Sequence, residues 1–126
     1  MGKIIVFADI DLKNIISNKI FEKYEFLFLD SADQIDLITN ADIVIIDLDM
    51  KGGFNVLKLI KSEYNKHVII AAGSLQDEIK GLIMGADDSF RKPVEIQILK
   101  ACIDRQFYYL NAENIINRLK KDNIIL

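Results

Sequence analysis

The chain has little of several things, and each scarcity excludes a class of protein. Its one cysteine, Cys102, cannot form a disulfide within the chain, so nothing points to secretion. Its one histidine, His67, rules out a metal site built from several imidazoles. Excess positive charge is missing: 16 Lys and Arg against 19 Asp and Glu leave a net charge of −3. A basic groove for DNA or RNA is thereby disfavoured, because phosphate binding draws on positive charge. Long apolar runs are missing too. The first, Ile4 to Ala8, stops at Asp9 and is too short for a signal-peptide core. Ile43–Ile46 and Val68–Ala72 fall far short of a membrane span. These absences predict a soluble cytoplasmic protein without membrane contact.

What is present suffices for one core. Hydrophobic residues make up 51% and charged residues 28% of 126, which excludes intrinsic disorder and fits a single domain. Short apolar runs alternate with amphipathic stretches. The runs are Ile4–Ala8, Phe26–Leu29, Ile43–Ile46, Val68–Ala72 and a weaker one at Ala86–Arg91. Continuous rather than alternating hydrophobicity suits strands buried on both faces of a parallel sheet.

Between the runs lie helical patterns. Leu12, Ile15, Ile16 and Ile20 share a face, as do Ile35 and Ile38, then Leu57, Ile60 and Tyr64, then Leu75, Ile79, Leu82 and Ile83. Ser31 with Gln34 and Ser74 with Asp77 read as capping boxes, and Pro93 suits a first helical position. The order is five strand–helix repeats. Short connections and right-handed crossovers then require an α/β fold with a parallel sheet and helices on both faces. The last helix carries Ile96, Leu99, Ile103, Phe107 and Leu110 on one stripe. The stripe then meets Asn114 and Asn117, and apolar residues shift to Ala112, Ile115, Ile116 and Leu119. Either the helix breaks near Asn111 or it continues and turns a different face to a different partner.

In an open parallel sheet, ligands bind beyond the carboxyl ends of the strands. There the sequence places Asp9 and Asp11 after strand 1, Asp47 and Asp49 after strand 3, Ala72-Gly73-Ser74 after strand 4, and Lys92-Pro93 after strand 5. Converging carboxylates repel unless a cation compensates. Magnesium is the natural one, being hard and content with one or two carboxylates, a carbonyl and waters. A carboxylate neutralised in this way beside a lysine can accept a phosphoryl group, a transfer that needs positioning and charge more than covalent help.

At these residues the chain resembles the receiver domains of two-component response regulators, over about residues 3–106. The resemblance rests on Asp47-Leu48-Asp49-Met50 after an apolar strand and on Gly85-Ala86-Asp87-Asp88-Ser89-Phe90-Arg91-Lys92-Pro93. It implies a flavodoxin-like, doubly wound sheet of order 2-1-3-4-5. It implies Asp47 as phosphoacceptor from a histidine kinase, and Lys92 as the lysine that contacts the phosphoryl group before a proline that is often cis. It also implies Mg2+ held by Asp9, Asp47 and the backbone carbonyl of Asp49, with Asp11 as a further candidate through water. It implies a signalling module that is not an enzyme, with a dimer face on the fourth helix, fifth strand and fifth helix.

The sequence departs from that pattern in several places. Ala8 stands where the first acid of a pair is expected, and Ala72 where a Thr or Ser is expected. Ser89 stands at the usual aromatic switch position, with Phe90 one residue out of phase and hence on the opposite face. Lys51 replaces a usual proline, the loop before Phe54 is about two residues short, and helix 1 is about one turn short. The residues for magnesium and acceptance are present, while those that carry the signal outward are absent or displaced. An alternative is therefore a degenerate receiver that acts as a phosphorylation-independent interaction module. A phosphatase of the haloacid-dehalogenase type also uses Asp-x-Asp after a strand, but on its first strand, and too few residues follow Asp49 here for its later motifs.

Other residues read more plainly. Asp11 suits a helix cap, Asp87-Asp88 a solvated turn, Gly52-Gly53 a turn, His67 a sheet-edge position and Cys102 a small core residue. Phe107, Tyr108 and Tyr109 suit helix packing or a dimer contact. The receiver-like part covers residues 1–110. Residues 111–126, ending on Ile124-Ile125-Leu126, read as a C-terminal helical extension or linker that pairs with a second copy or leads to an output domain.

Overall fold

The most continuous apolar runs become inner strands here because both of their faces are covered. The computed structural model describes residues 2–8, 10–30 and 32–122. The strands are β1 Gly2–Phe7, β2 Tyr24–Leu29, β3 Ile43–Asp47, β4 His67–Ala72 and β5 Asp88–Arg91. They form one five-stranded, all-parallel sheet of order β2-β1-β3-β4-β5. This is the flavodoxin-like order that the resemblance implied. The strand order reverses between β1 and β3, so their carboxyl ends flank the crevice where the site forms.

Side chains alternate between two cores. On one face Ile5, Phe7, Val44, Ile46, Val68, Ile70 and Ala72 pack against Val56, Leu57 and Ile60. The first two of these belong to the helix α2 Gly53–Leu59, and Ile60 opens a π-helical turn, Ile60–Tyr64. On the other face Ile4, Val6, Ile43, Ile45, Ile69, Ala71 and Phe90 pack against α1 Ile10–Ile16 and the last helix. Leu12 and Ile16 of α1 are buried, as their spacing predicts. The helix then stops, and a 3-10 turn at Lys19–Phe21 follows, capped by Asn18 accepting from the Ile20 N–H at 3.1 Å.

Three expectations need correction. The segment between β2 and β3 is a 3-10 helix, Ala32–Asn40, not an α-helix. Its inward pair, Ile35 and Ile38, stands three residues apart, which is the 3-10 period. The expected cap Ser31 lies outside the described residues, while Gln34 Oε1 accepts from the Asp30 N–H at 3.1 Å.

The helix α3 Leu75–Ile83 is capped by Ser74, as expected, but it is turned over. Leu75, Ile79, Leu82 and Ile83 are 43% to 81% exposed. The inward residue is Gly81, where a Cβ would stand 2.3 Å from Ile70 Cδ1 and 3.0 Å from Leu48 Cδ1. The glycine lets the helix backbone dock closely on β4, and that contact overrides the apolar stripe.

Pro93 is not a first helical residue. The last helix, α4, spans Ile96–Lys121 with Glu95 at its cap, and Pro93 lies in the turn before it. Leu99, Cys102 and Ile103 are buried in the core. Phe107 stacks on Tyr24 with ring centroids 5.0 Å apart, whereas Tyr108 and Tyr109 are exposed. The helix runs unbroken through Asn111, so the phase shift marks a change of surroundings. Its last ten or so residues reach about 15 Å at the α-helical rise, and Ile115 and Ile116 are exposed on them. Ile124-Ile125-Leu126 lie outside the described residues. No helix among the described residues is long and apolar enough to cross a membrane.

Candidate functional site

The end of β3 delivers Asp47 to the carboxyl edge of the sheet. Its side chain is 1% exposed. A carboxylate so far from water needs compensation, and two groups supply it. The Lys92 ammonium, from the end of β5, lies 2.6 Å from Oδ1 and 2.7 Å from Oδ2. The Asp49 N–H donates to Oδ1 at 3.0 Å. Lys92 also lies 3.1 Å from Asp49 Oδ2, so one ammonium serves two carboxylates.

The surrounding backbone holds this arrangement. The Lys92 N–H donates to the Ala72 carbonyl at 3.0 Å, which extends the β4–β5 ladder to the site. The Lys92–Pro93 peptide is cis, as the resemblance implied. Gly73, after β4, leaves room for Asp49: a Cβ there would stand 2.6 Å from Asp49 Oδ2. Partial burial disfavours the charge on Lys92, but its hydrogen bonds to Asp47 and Asp49 outweigh this and raise its pKa. On the other side of Asp47 a cavity of about 470 Å³ opens between β1, β3 and α2, with Phe7, Ile46, Met50 and Val56 among its walls.

Other expected site residues are placed differently. Asp9 lies outside the described residues. Asp11 is exposed in the first turn of α1. Ala8 is half-buried against the α1 side of the core. Ala72 is fully buried, and Ser74 is occupied as the α3 cap. Ile70 pairs with Ser89 and Ala71 with Phe90, so Phe90 joins the core on the α1 and α4 side while Ser89 faces α3. There the Ser89 hydroxyl donates to Glu78 Oε2 at 2.7 Å, and Arg91 Nε lies 3.7 Å from Glu78 Oε1. A polar tether occupies the position expected for an aromatic side chain.

Asp87 is exposed in the bend before β5, as expected, whereas Asp88 is a partly buried residue of the strand itself, and both carboxylates are tied down. Asp87 Oδ2 accepts from the Val68 N–H at 2.8 Å and from Lys61 at 2.9 Å. Asp88 takes two bonds from Arg105 at 2.8 Å and one from Gln106 at 3.2 Å. Sequence reasoning missed Glu78 and Gln106. Gln106 had a signal: it is a polar residue falling between Ile103 and Phe107 on the inward face of a helix.

A buried carboxylate with an ammonium on both of its oxygens, at the switch point of a parallel sheet, can act as a nucleophile toward a charged electrophile. The structure superposes on NtrX from Brucella abortus with a TM-score of 0.84, at 18% identity, over 100% of this chain and 31% of that one. It matches a response regulator receiver domain protein from Clostridium thermocellum with a TM-score of 0.75, at 27% identity, over 92% of this chain and 99% of that one. The chain has the receiver-domain fold. A CheY-like receiver domain protein from Methanospirillum hungatei JF-1 matches with a TM-score of 0.75, at 23% identity, over 90% of this chain and 98% of that one. No family model matches the sequence. The receiver fold thus accounts for nearly the whole of the two small proteins and for about a third of NtrX.

Proposed function

We propose that this chain is a phosphoacceptor receiver domain of two-component signalling, and that Asp47 takes a phosphoryl group from the phosphohistidine of a histidine kinase. A carboxylate oxygen of Asp47 attacks phosphorus, the nitrogen–phosphorus bond breaks, and the departing imidazole nitrogen takes up a proton. The product is an acyl phosphate on Asp47. The observation that carries this reading is the Lys92 ammonium on both Asp47 oxygens. An ammonium placed there can move onto the incoming phosphoryl oxygens and offset their charge.

The donor chemistry fits magnesium. Among the described residues no group of three His, Cys, Asp or Glu gathers, but Mg2+ needs only one or two carboxylates and completes its shell with water. Asp47, the Asp49 backbone carbonyl and Asp9 are the residues to hold it, with Asp11 reaching it through water. Bound magnesium supplies further neutralisation of phosphoryl charge. The domain is an acceptor and not a turnover enzyme, and it acts in the cytoplasm. Its further partners are a second copy, through α3, β5 and the first part of α4 or through the C-terminal part of α4, and an output domain beyond that helix. The exposed Leu75, Ile79, Leu82 and Ile83 support the first of these faces.

The second reading, an interaction module that is never phosphorylated, draws on Ala72 and on the Ser89–Glu78 tether. Incubation with Mg2+ and acetyl phosphate, followed by intact-mass measurement, separates the two. A single phosphoryl adduct on the native chain, lost in Asp47→Asn, is expected. No adduct on the native chain overturns acceptance and leaves the second reading standing.

A further inference from the structure

The opposite edge of the sheet carries a device that phosphoryl chemistry does not use. His67, the only histidine, opens β4 and faces two residues of α4. Its Nδ1 lies 2.9 Å from Gln106 Oε1, and its Nε2 lies 3.1 Å from Glu113 Oε2. Among the described residues, no hydrogen bond or ion pair ties α4 to the rest of the domain beyond Glu113. The contact therefore sits where the helix leaves the body of the domain.

The hydrogen positions in this cluster follow from its acceptors. Gln106 is buried, and its amide nitrogen faces the Asp87 carbonyl at 3.4 Å and Asp88 Oδ2 at 3.2 Å. Both accept and neither donates, so the Gln106 amide cannot be flipped, and its oxygen must face His67. Nδ1 must then carry a proton. The carboxylate of Glu113 also only accepts, so Nε2 needs a proton as well. Only imidazolium satisfies both partners. In the neutral ring one nitrogen turns a lone pair on an acceptor. Gln106 is buried and held on both sides, so the contact that gives way is the exposed one, to Glu113.

We infer that His67 is a protonation-operated clamp that holds the C-terminal part of α4 to the foot of the sheet when charged and releases it when neutral. The other charged groups at this end have their own partners or lie at its margin. Asp87 is held by Lys61 and the Val68 N–H, Asp88 by Arg105, and Lys66 Nζ donates to the Thr39 carbonyl at 3.1 Å. Asp42, Tyr64 and Asn114 line the same cavity, and Asp42 Oδ2 accepts from the Lys3 N–H at 2.9 Å. None of them comes between His67 and Glu113. The clamp stands whether or not Asp47 accepts a phosphoryl group.

The test is 15N relaxation of the backbone amides of residues 114–121 in the full chain, at about pH 6 and about pH 8. The native chain should lose order in these amides at the higher pH. Glu113→Gln should hold them at both pH values, because a carboxamide can accept from imidazolium and donate to neutral imidazole. Glu113→Ala should leave them mobile at both. Glu113 is exposed, so neither change threatens the fold. Equal order at the two pH values in the native chain overturns the clamp. So does a pH response in Glu113→Gln like that of the native chain, since another group must then titrate.

Discussion

The Lys92 ammonium contacts both carboxylate oxygens of Asp47, at 2.6 Å and 2.7 Å. The two residues come from strands that do not pair: β4 lies between β3 and β5. Their meeting depends on the parallel order, which brings every carboxyl end to one edge. The pair is asymmetric, with Asp47 buried and Lys92 partly open to solvent. The lysine can therefore leave at little cost to itself, while the carboxylate cannot be left uncompensated.

That asymmetry predicts the effect of Lys92→Met. Removing one partner strands a buried charge, at a cost on the order of 3–5 kcal/mol for a fully buried pair and about 2–3 kcal/mol here, because Lys92 is partly solvated. Urea denaturation should show this loss. Phosphorylation by acetyl phosphate should fall with it. A variant as stable as the native chain would mean that the ion pair does not compensate Asp47.

Gly53 lies beneath the acceptor loop. A Cβ there would stand 2.7 Å from the Asp47 carbonyl oxygen and 3.0 Å from Leu48 Cα, and neither backbone atom can rotate away. Gly53→Ala should therefore destabilise the domain by about 1–3 kcal/mol, against the usual gain of alanine within a helix. It should also shift the Asp47 and Asp49 amide resonances in a 15N–1H spectrum. Unchanged resonances with unchanged stability would show that the loop has slack.

The sheet was legible because apolar runs recur between helical patterns and the inner ones need cover on both faces, and the acids and lysine were legible because they lie at the ends of those runs. The face of α3 was not. Periodicity locates an apolar stripe, but the direction it points depends on what meets it, and Gly81 docks the other side of the helix on Ile70. The segment holding Ile35 and Ile38 forms a 3-10 helix where an α-helix is expected, because one pair spaced by three residues fits either period. The polar contacts beside α3 and at the foot of the sheet were hidden for another reason. His67 and Glu113 stand 46 residues apart, and Ser89 and Glu78 belong to different elements. A residue's neighbours along the chain carry no trace of such partners.

The reversal of α3 makes its own prediction. Ile79 and Ile83 are already in water at 48% and 81% exposure, so Ile79→Glu with Ile83→Glu should change stability by no more than about 0.5–1 kcal/mol. If the stripe instead faced the core, two buried charges would unfold the domain. The same double variant should abolish any concentration-dependent association seen by sedimentation, because charge on both copies would then face itself.

Cys102 supplies a prediction about alkaline pH, and its sign can be worked out. Burial, and then the nearby Asp88 carboxylate, push the thiol up to about 11 from an ordinary value of 9.0. The folded state thus keeps its proton to higher pH than the unfolded state does. Below about pH 9 both are protonated, and the thiol adds no pH dependence. Between about pH 9 and about pH 11 the unfolded chain loses its proton first, so stability falls as pH rises, by on the order of 2 kcal/mol. Cys102→Ala should be less stable at neutral pH, because it leaves a small cavity, yet its stability should decline less steeply across this window. The native thiol should also resist iodoacetamide near neutral pH and react once urea unfolds the chain, since the thiolate is the nucleophile. Fast alkylation of the folded chain, or an alkaline decline unchanged in Cys102→Ala, would place the thiol in water rather than between α4 and β5.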